Sequence, residues 1–463
     1  MNRSVSRSLD APAPPAYLQY LPALIALCGA ALALIMFYPG LTSPDSDYQL
    51  SQARNFEFAD GHPPIMALLW AVMIKFKDGP ALMMVLFTAM YWGSFWLIAR
   101  TLARRSAAAA GMVFVFAFSP LLLNFAGTIW KDVFVFDFFL LACALMYSHL
   151  ESGHSMSRKV FGTVAALIII GSLGRHNSIF SGLPLMVLAV YVHDRNAATS
   201  LGGFLRTFVK GGLLYVALLI PSYLLVQYIA HPTPMSVSSS LFVFDLIGMS
   251  LRANTYLLPS SPTFHLAQLQ SCYDPAGWDK VWVSCPVLLD EMRANGSWAH
   301  LSGVWLDAVK AHPAEYLLHR LAHFRALFVP TWLVFLGDST PLAAEFGFVK
   351  GSAFLLFERM MLALRTNPVL GILFTNGFWI VVNTVLMAVA AWRLLRAVNQ
   401  RTVCAFLLIM SGFVYSAPFV LIGTAPDFRY VYWSIGAVLL SFAIALADRA
   451  PRRDATARRG ASV

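Results

Sequence analysis

The residue types best suited to chemistry lie in four short polar patches set between long apolar runs. Asp45 and Asp47 stand two apart in a Ser-Pro-Asp-Ser-Asp stretch, and His62 opens a His-Pro-Pro stretch in the same loop. Lys131 and Asp132 follow a tryptophan, Arg175 and Asn177 flank a histidine, and Asp427, Arg429 and Tyr430 close a Pro-Asp-Phe-Arg-Tyr stretch. Guanidinium and ammonium groups bind phosphate oxygens through charge-assisted hydrogen bonds. A sugar leaving from a phosphate therefore needs cations rather than a general acid, and one carboxylate suffices to take the proton of an attacking hydroxyl. A glycosidase would require two carboxylates cooperating across the bond.

Each residue also has a plainer structural reading. Asp45 and Asp47, next to Pro44 and among serines, suit a turn or a helix cap, and His62 suits a turn. Lys131 can pair with Asp132, and Arg429 with Asp427. Those readings leave unexplained why three cations, a histidine and two acids fall on one side of the threading given below. In an extended loop Asp45 and Asp47 project to the same side, and in a helix to nearly opposite sides. Either one can be the base, with the other orienting substrate or holding a metal.

The elements that must position these residues are membrane helices. Of 463 residues, 58% are hydrophobic and 12% charged, which defines an all-α polytopic membrane protein rather than a soluble domain with a large core. The first apolar run, residues 17–38, is long enough to span and too long for a signal-peptide core, so it reads as a retained helix. Further spans are expected at residues 81–99, 108–127, 133–149, 160–173, 177–192, 211–230, 368–392, 403–422 and 431–446, about ten crossings in all. The net charge of +10 comes mostly from short loops and tails, where the positive-inside rule accounts for it and nucleic acid need not be invoked. With both termini cytoplasmic, Arg100, Arg104, Arg105, Arg158, Lys159, Arg195, Arg206, Lys210, Arg393, Arg396 and Arg401 all fall inside. The four polar patches then face outward.

This threading divides the chain into a transmembrane module at residues 1–230 with a candidate catalytic first loop at 39–80, an extracytoplasmic or interfacial segment at 231–366, C-terminal helices at 367–448, and a basic cytoplasmic tail at 449–463. An interfacial helix is expected at residues 63–76, opened by Pro63 and Pro64. The short apolar stretches 324–335 and 346–357 form either a hairpin or a surface layer. Cys28, Cys143 and Cys404 read as small hydrophobes. Cys272 and Cys285 lie in the long outer segment and are placed to pair in an oxidising compartment.

The order of first helix, acidic loop, His-Pro-Pro, Trp-Lys-Asp, Arg-His-Asn and Pro-Asp-Phe-Arg-Tyr resembles the GT-C superfamily of integral-membrane glycosyltransferases. Its nearest look is to bacterial members related to protein O-mannosyltransferases and lipid A aminoarabinose transferases. The resemblance covers most of the chain and rests on the order and common sidedness of the motifs. It implies a GT-C-like bundle of about 10–12 transmembrane helices with interfacial helices in the first outer loop, in the bacterial inner membrane. It further implies a polyprenyl-phosphate-linked sugar such as an undecaprenyl phosphate as donor, a lipid, glycan or protein acceptor, a periplasmic site and inversion at the anomeric carbon.

By the same resemblance Asp45 is the best match to the base and Asp47 the alternate, although the family usually has adjacent or near-adjacent acids. His62, Pro63 and Pro64 would shape the donor site. Lys131, Arg175 and Arg429 would clamp the lipid phosphate, with Asp132, Asn177, Asp427 and Tyr430 beside them. Metal use varies among members, so a divalent cation (Mg or Mn) is an open expectation. Two rival readings are a secondary transporter, which places ionisable groups near the midplane where this chain offers only Asp137, and an O-antigen ligase or polymerase, which handles diphosphate-linked glycans.

Overall fold

The apolar runs fold as helices. In the computed structural model, which describes residues 17–152, 155–194, 199–330, 335 and 344–449, the described residues contain no strand, only two isolated bridges. The N-terminal half holds α1 (Tyr17–Phe37), α2 (Pro44–Asn55), α3 (Ile65–Met73), α4 (Ala81–Ala103), α5 (Ala107–Ala117), α6 (Pro120–Leu123), α7 (Lys131–Ser152), α8 (Arg158–Ser172), α9 (Ser178–Asp194) and α10 (Leu201–Ala230). A middle layer follows with α11 (Ser238–Ala253), α12 (Leu266–Cys272), α13 (Asp279–Ser284), α14 (Pro286–Ala294), α15 (Leu301–Ala311) and α16 (Pro313–Ala326). Then come α17 (Ser352–Thr366), α18 (Asn376–Arg396), α19 (Gln400–Ser416), α20 (Pro418–Ile422) and α21 (Tyr432–Arg449). Seven described segments are long and apolar enough to cross a membrane: Tyr20–Phe37, Ala81–Ala103, Lys131–Ser152, Leu201–Ala230, Asn376–Arg396, Gln400–Ile422 and Phe428–Leu446.

One bundle results, with α7 at its centre. α4 packs on α1, α5 and α7, α9 on α8, α10 and α19, and α21 on α5, α7 and α19. The phenylalanines of α7 explain the close fit: Phe136 stacks on Tyr432 with centroids 4.2 Å apart, and Phe139 meets Trp433 edge-on at 5.2 Å. Such offset and edge contacts add to the area buried by rings of this size.

Two expected spans are corrected. Residues 108–127 are not one helix, because α5 stops at Ala117 and Ser119 turns extended ahead of Pro120, which starts the short α6. A residue before proline is pushed out of the helical region. The chain after α6 instead turns back towards the first loop. The span expected at 368–392 begins later, at Asn376, where the Thr375 hydroxyl caps the helix by accepting from the Phe378 N–H. The interfacial helix expected at 63–76 shortens to Ile65–Met73, with both prolines ahead of it. α17 rests Phe354 and Phe357 on Phe37, at the end of α1 next to the first loop. The N-terminal arginines, Arg195 and residues 450–463 lie outside the described residues.

The middle layer has a second hydrophobic core, which includes Leu246, Ile247, Leu269, Leu288, Leu289 and Leu301. Cys272 and Cys285 are joined by a disulfide, as their placement suggests. Buried Asp245 is ion-paired with Arg320, whose Nη2 lies 2.6 Å from it, accepts from Trp305 Nε1 at 2.8 Å, and meets His319 Nε2 at 3.0 Å, while Tyr273 reaches His319 Nδ1 at 2.9 Å. A buried carboxylate without such partners would cost several kcal/mol. The layer docks on the loop before α21 through the Trp278 N–H to the Thr424 carbonyl (2.7 Å) and Arg320 Nη1 to the Gly423 carbonyl (2.7 Å).

The first loop is stitched to the loop before α7. The Leu41 N–H donates to the Gly127 carbonyl at 2.8 Å, and the Ile129 N–H donates to the Leu41 carbonyl at 2.9 Å. Gly127 permits this approach because a Cβ there would lie 2.1 Å from the Phe37 ring. Gly127→Ala should therefore separate the two loops and cost about 1–3 kcal/mol, read as a lower thermal unfolding midpoint of the full chain in detergent. Gly93→Ala, where a Cβ meets nothing within 4 Å, should not lower it. Equal midpoints for the two variants would contradict the close approach.

Candidate functional site

The start of α2 sets the position of Asp45. Ser43 is extended (φ −134, ψ 172), its N–H is accepted by Ser46 Oγ at 3.2 Å, and Pro44 occupies the first helical turn with its φ already suited to it. Both serines are also anchored across the bundle end: Ser46 Oγ donates to the Ile129 carbonyl (2.7 Å), and Trp130 Nε1 donates to Ser43 Oγ (2.7 Å). Asp45 thus sits in a first turn, where the helix dipole favours a carboxylate. Asp47 lies two residues on, about 200° round the helix. The helix therefore sets the two carboxylates on different sides.

Asp45 Oδ2 accepts from Arg429 Nη1 at 2.7 Å, and its Oδ1 is 3.9 Å from His62 Nε2. His62 Nδ1 in turn contacts Lys131 Nζ. Arg429 Nη2 donates to Asp427 Oδ2 at 3.2 Å, and the guanidinium lies 4.5 Å from the Trp130 ring centroid. Asn376, at the start of α18, fixes this corner by donating to the Asp427 carbonyl at 2.9 Å. A second ion pair stands alongside, between Arg175 and Asp132. Arg175 Nε donates to Asn177 Oδ1 (3.2 Å), Asn177 Nδ2 donates to the Tyr415 carbonyl (2.9 Å), and the Tyr415 hydroxyl is 3.5 Å from Asp132 Oδ1. Tyr430 links the two pairs, with its ring centroid 4.7 Å from Arg175 Cζ and 5.4 Å from Arg429 Cζ.

All four polar patches therefore meet at one end of the bundle. Four contributors were not selected from the sequence. Trp130 gives the aromatic face for Arg429, Tyr415 braces the Arg175 pair, and Asn376 holds Asp427. The fourth, Asp279 at the start of α13, lies within electrostatic reach of Arg429 and Asp45. Trp130 had a signal, since it adjoins Lys131 and Asp132. Asp279 had none, because only docking of the disulfide-closed loop on Thr424 brings it in.

Electrostatics separate the two acids on Arg429. Burial alone would raise the Asp45 carboxyl, but Arg429, Lys131 and His62 overcome it and hold Asp45 well below the ordinary carboxylate range. Asp427 goes the other way, since its burial outweighs the attraction of Arg429 and raises it. The Asp45 side chain is 30% exposed and that of Asp427 only 6%, so Asp45 is the carboxylate an incoming molecule can reach. Arg429 Nε and Asp132 Oδ2 are buried and make no hydrogen bond within the protein, which leaves unused hydrogen-bonding capacity beside it. Among the described residues, no group of three or more His, Cys, Asp and Glu side chains is arranged to hold a metal ion. Asp45 and Asp427 both face the Arg429 guanidinium.

Burial, reinforced by Lys131, lowers the His62 pKa from 6.5 to about 3, so His62 is neutral near neutral pH. Between those values the unfolded chain takes up a proton on His62 that the folded chain refuses. Stability therefore falls as pH drops through this window, by up to about 1.4 kcal/mol per pH unit from this group. Thermal midpoints of wild type and His62→Asn across pH 7 to 4 should show a flatter decline for the variant. Parallel curves would mean that His62 carries no such shift.

No family model matches this chain, and comparison with curated proteins and with solved structures finds no match either.

Proposed function

We propose that the chain is a GT-C-like membrane glycosyltransferase. It transfers a sugar from a polyprenyl phosphate, such as undecaprenyl phosphate, to a hydroxyl of a lipid, glycan or protein acceptor at the periplasmic face of the bacterial inner membrane. In this reading both termini are cytoplasmic, and the broken stretch of α5 and α6, with α8 and α9, joins the seven longer apolar segments to make about ten crossings. The observation that carries the proposal is the reachable Asp45 carboxylate held against Arg429, with Lys131 next to it, at the end of a bundle of apolar helices. A carboxylate paired so closely is a weak base while the pair lasts. A donor phosphate competes for Arg429 and Lys131 through charge-assisted bonds, and Asp45, released from its partner, regains basicity. Donor binding and activation of the base are then one event.

The reaction is a single displacement. The acceptor oxygen attacks the anomeric carbon from the face opposite the phosphate, its proton passes to an Asp45 oxygen, and the carbon–oxygen bond to the lipid phosphate breaks with inversion. Arg429 and Lys131 stabilise the charge that builds on the departing phosphate. Neutral His62 sits between Lys131 and Asp45, where it spaces the two charges. Arg175, committed to Asp132, holds Tyr430 and the Arg429 corner in place.

One observation favours a second reading, a secondary transporter. Asp137 is buried in α7 with neither carboxylate oxygen hydrogen-bonded, about 9 Å along the helix from Lys131, and an intramembrane acid often marks an ion path. Turnover and uptake separate the two. Nanodisc-embedded protein should use undecaprenyl-phosphate sugars and not the diphosphate-linked forms. Asp45→Asn should lower turnover at least about a hundredfold, Arg429→Ala and Lys131→Ala about ten- to a hundredfold, and Asp47→Asn little. Full turnover by Asp45→Asn, or Asp137-dependent solute uptake by proteoliposomes without any transfer, would overturn the proposal.

A further inference from the structure

A sizeable cleft lies away from the polar cluster. It opens between α18, α19 and α21, has a volume of about 470 Å³ and is walled mainly by apolar side chains, among them Val389, Leu408 and Phe442. At its mouth stand two exposed arginines, Arg393 near the end of α18 and Arg401 in the first turn of α19. Its inner wall, through Cys404, Leu408 and Ile444, is shared with a smaller gap inside the bundle that reaches Cys143 and Tyr147. The cleft is apolar in depth and cationic at its rim.

Its level along the bundle follows from α18. Asn376, at the first turn, holds Asp427 at the site end. Arg393 comes seventeen residues later, about 25 Å along the helix axis. The cleft therefore belongs to the opposite end of the bundle, and its walls run from there towards the middle for about two turns, from Arg393 to Leu386 on α18 and from Leu446 to Val438 on α21. A lipid whose phosphate sits at Arg393 and Arg401 cannot present that phosphate to Arg429 and Lys131. The cleft is thus a site separate from the polar cluster, and the inference does not depend on what that cluster does.

We propose that this cleft binds an anionic glycerophospholipid from the membrane leaflet opposite the Asp45 cluster. An acyl chain fills the space between Val389, Leu408 and Phe442, and the headgroup phosphate meets Arg393 and Arg401. The charge arrangement selects the occupant. Basic residues at the membrane surface, above an apolar slot between helices, attract an anionic headgroup, whereas a zwitterionic headgroup gains little there. An acyl chain covers the exposed faces of Val389 and Phe442, which are 39% and 55% exposed.

Native mass spectrometry of the full chain, purified in detergent and titrated with dioleoyl phosphatidylglycerol or dioleoyl phosphatidylcholine, tests this. Wild type should retain one phosphatidylglycerol in preference to phosphatidylcholine. Arg393→Gln and Arg401→Gln should each weaken that retention about fivefold, and Ala445→Trp, at an exposed position on the cleft wall, should abolish it without changing charge. Arg158→Gln, at the same end of the bundle but outside the cleft, should retain the lipid as wild type does. Equal retention of the two lipids, or an equal loss in Arg158→Gln, would overturn the proposal. So would unchanged retention in both Arg393→Gln and Arg401→Gln, or an Ala445→Cys variant that cross-links two copies of the chain through the cleft.

Discussion

The ion pair between Asp45 and Arg429 joins residues 384 positions apart, and most of the site end of the bundle is arranged to make it tolerable. Two charges taken partly out of water lose hydration that only close mutual geometry and further hydrogen bonds can offset. Here the offset is spread over several elements. Asp427 takes the second amino group of Arg429, Trp130 covers its face, and Asn376 fixes the Asp427 backbone. On the other side, the first turn of α2 and the nearby Lys131 favour the negative charge of Asp45. The pair therefore acts as a keystone between the first loop and the loop before the last helix.

A keystone needs fixed abutments. The first loop cannot drift, because Leu41 is bonded on both sides to the 127–129 backbone and Ser43 and Ser46 are tied to Trp130 and Ile129. The loop before α21 is held from above by the middle layer, whose Trp278 and Arg320 bind the carbonyls of Thr424 and Gly423. That layer is itself rigid where it docks, through the buried Asp245 network and the Cys272–Cys285 bridge. The same docking carries Asp279 to within electrostatic reach of Arg429. Rigidity and a surplus of carboxylates thus converge on the guanidinium that, in the proposed mechanism, must give up its partner to a phosphate.

Much of this was legible in the sequence. Lengths of apolar sequence separated by short basic loops dictate helices, and the parity of those helices put all four polar patches at one end before any contact was known. What escaped had physical reasons. Residues 108–127 are apolar enough to read as a span, yet the sequence Ser119-Pro120 breaks the helix and sends the chain back to pair with Leu41. Whether Asp45 and Asp47 share a side depended on whether their backbone was extended or helical, and the cap at Ser43 starts a helix that separates them. Asp279 and Tyr415 reach the site only through tertiary docking, which no local pattern encodes. Seven described segments are long and apolar enough to cross a membrane.

The central claim is that Asp45 and a donor phosphate compete for the same guanidinium. Equilibrium binding of undecaprenyl phosphate to the full chain in nanodiscs, compared between wild type and Asp45→Asn, tests it most directly. Removing the competing carboxylate charge should tighten phosphate binding several-fold, about 1 kcal/mol or more, even as turnover is lost. Weaker or unchanged binding in Asp45→Asn would show that Arg429 is held for structure and that the pair does not gate the site.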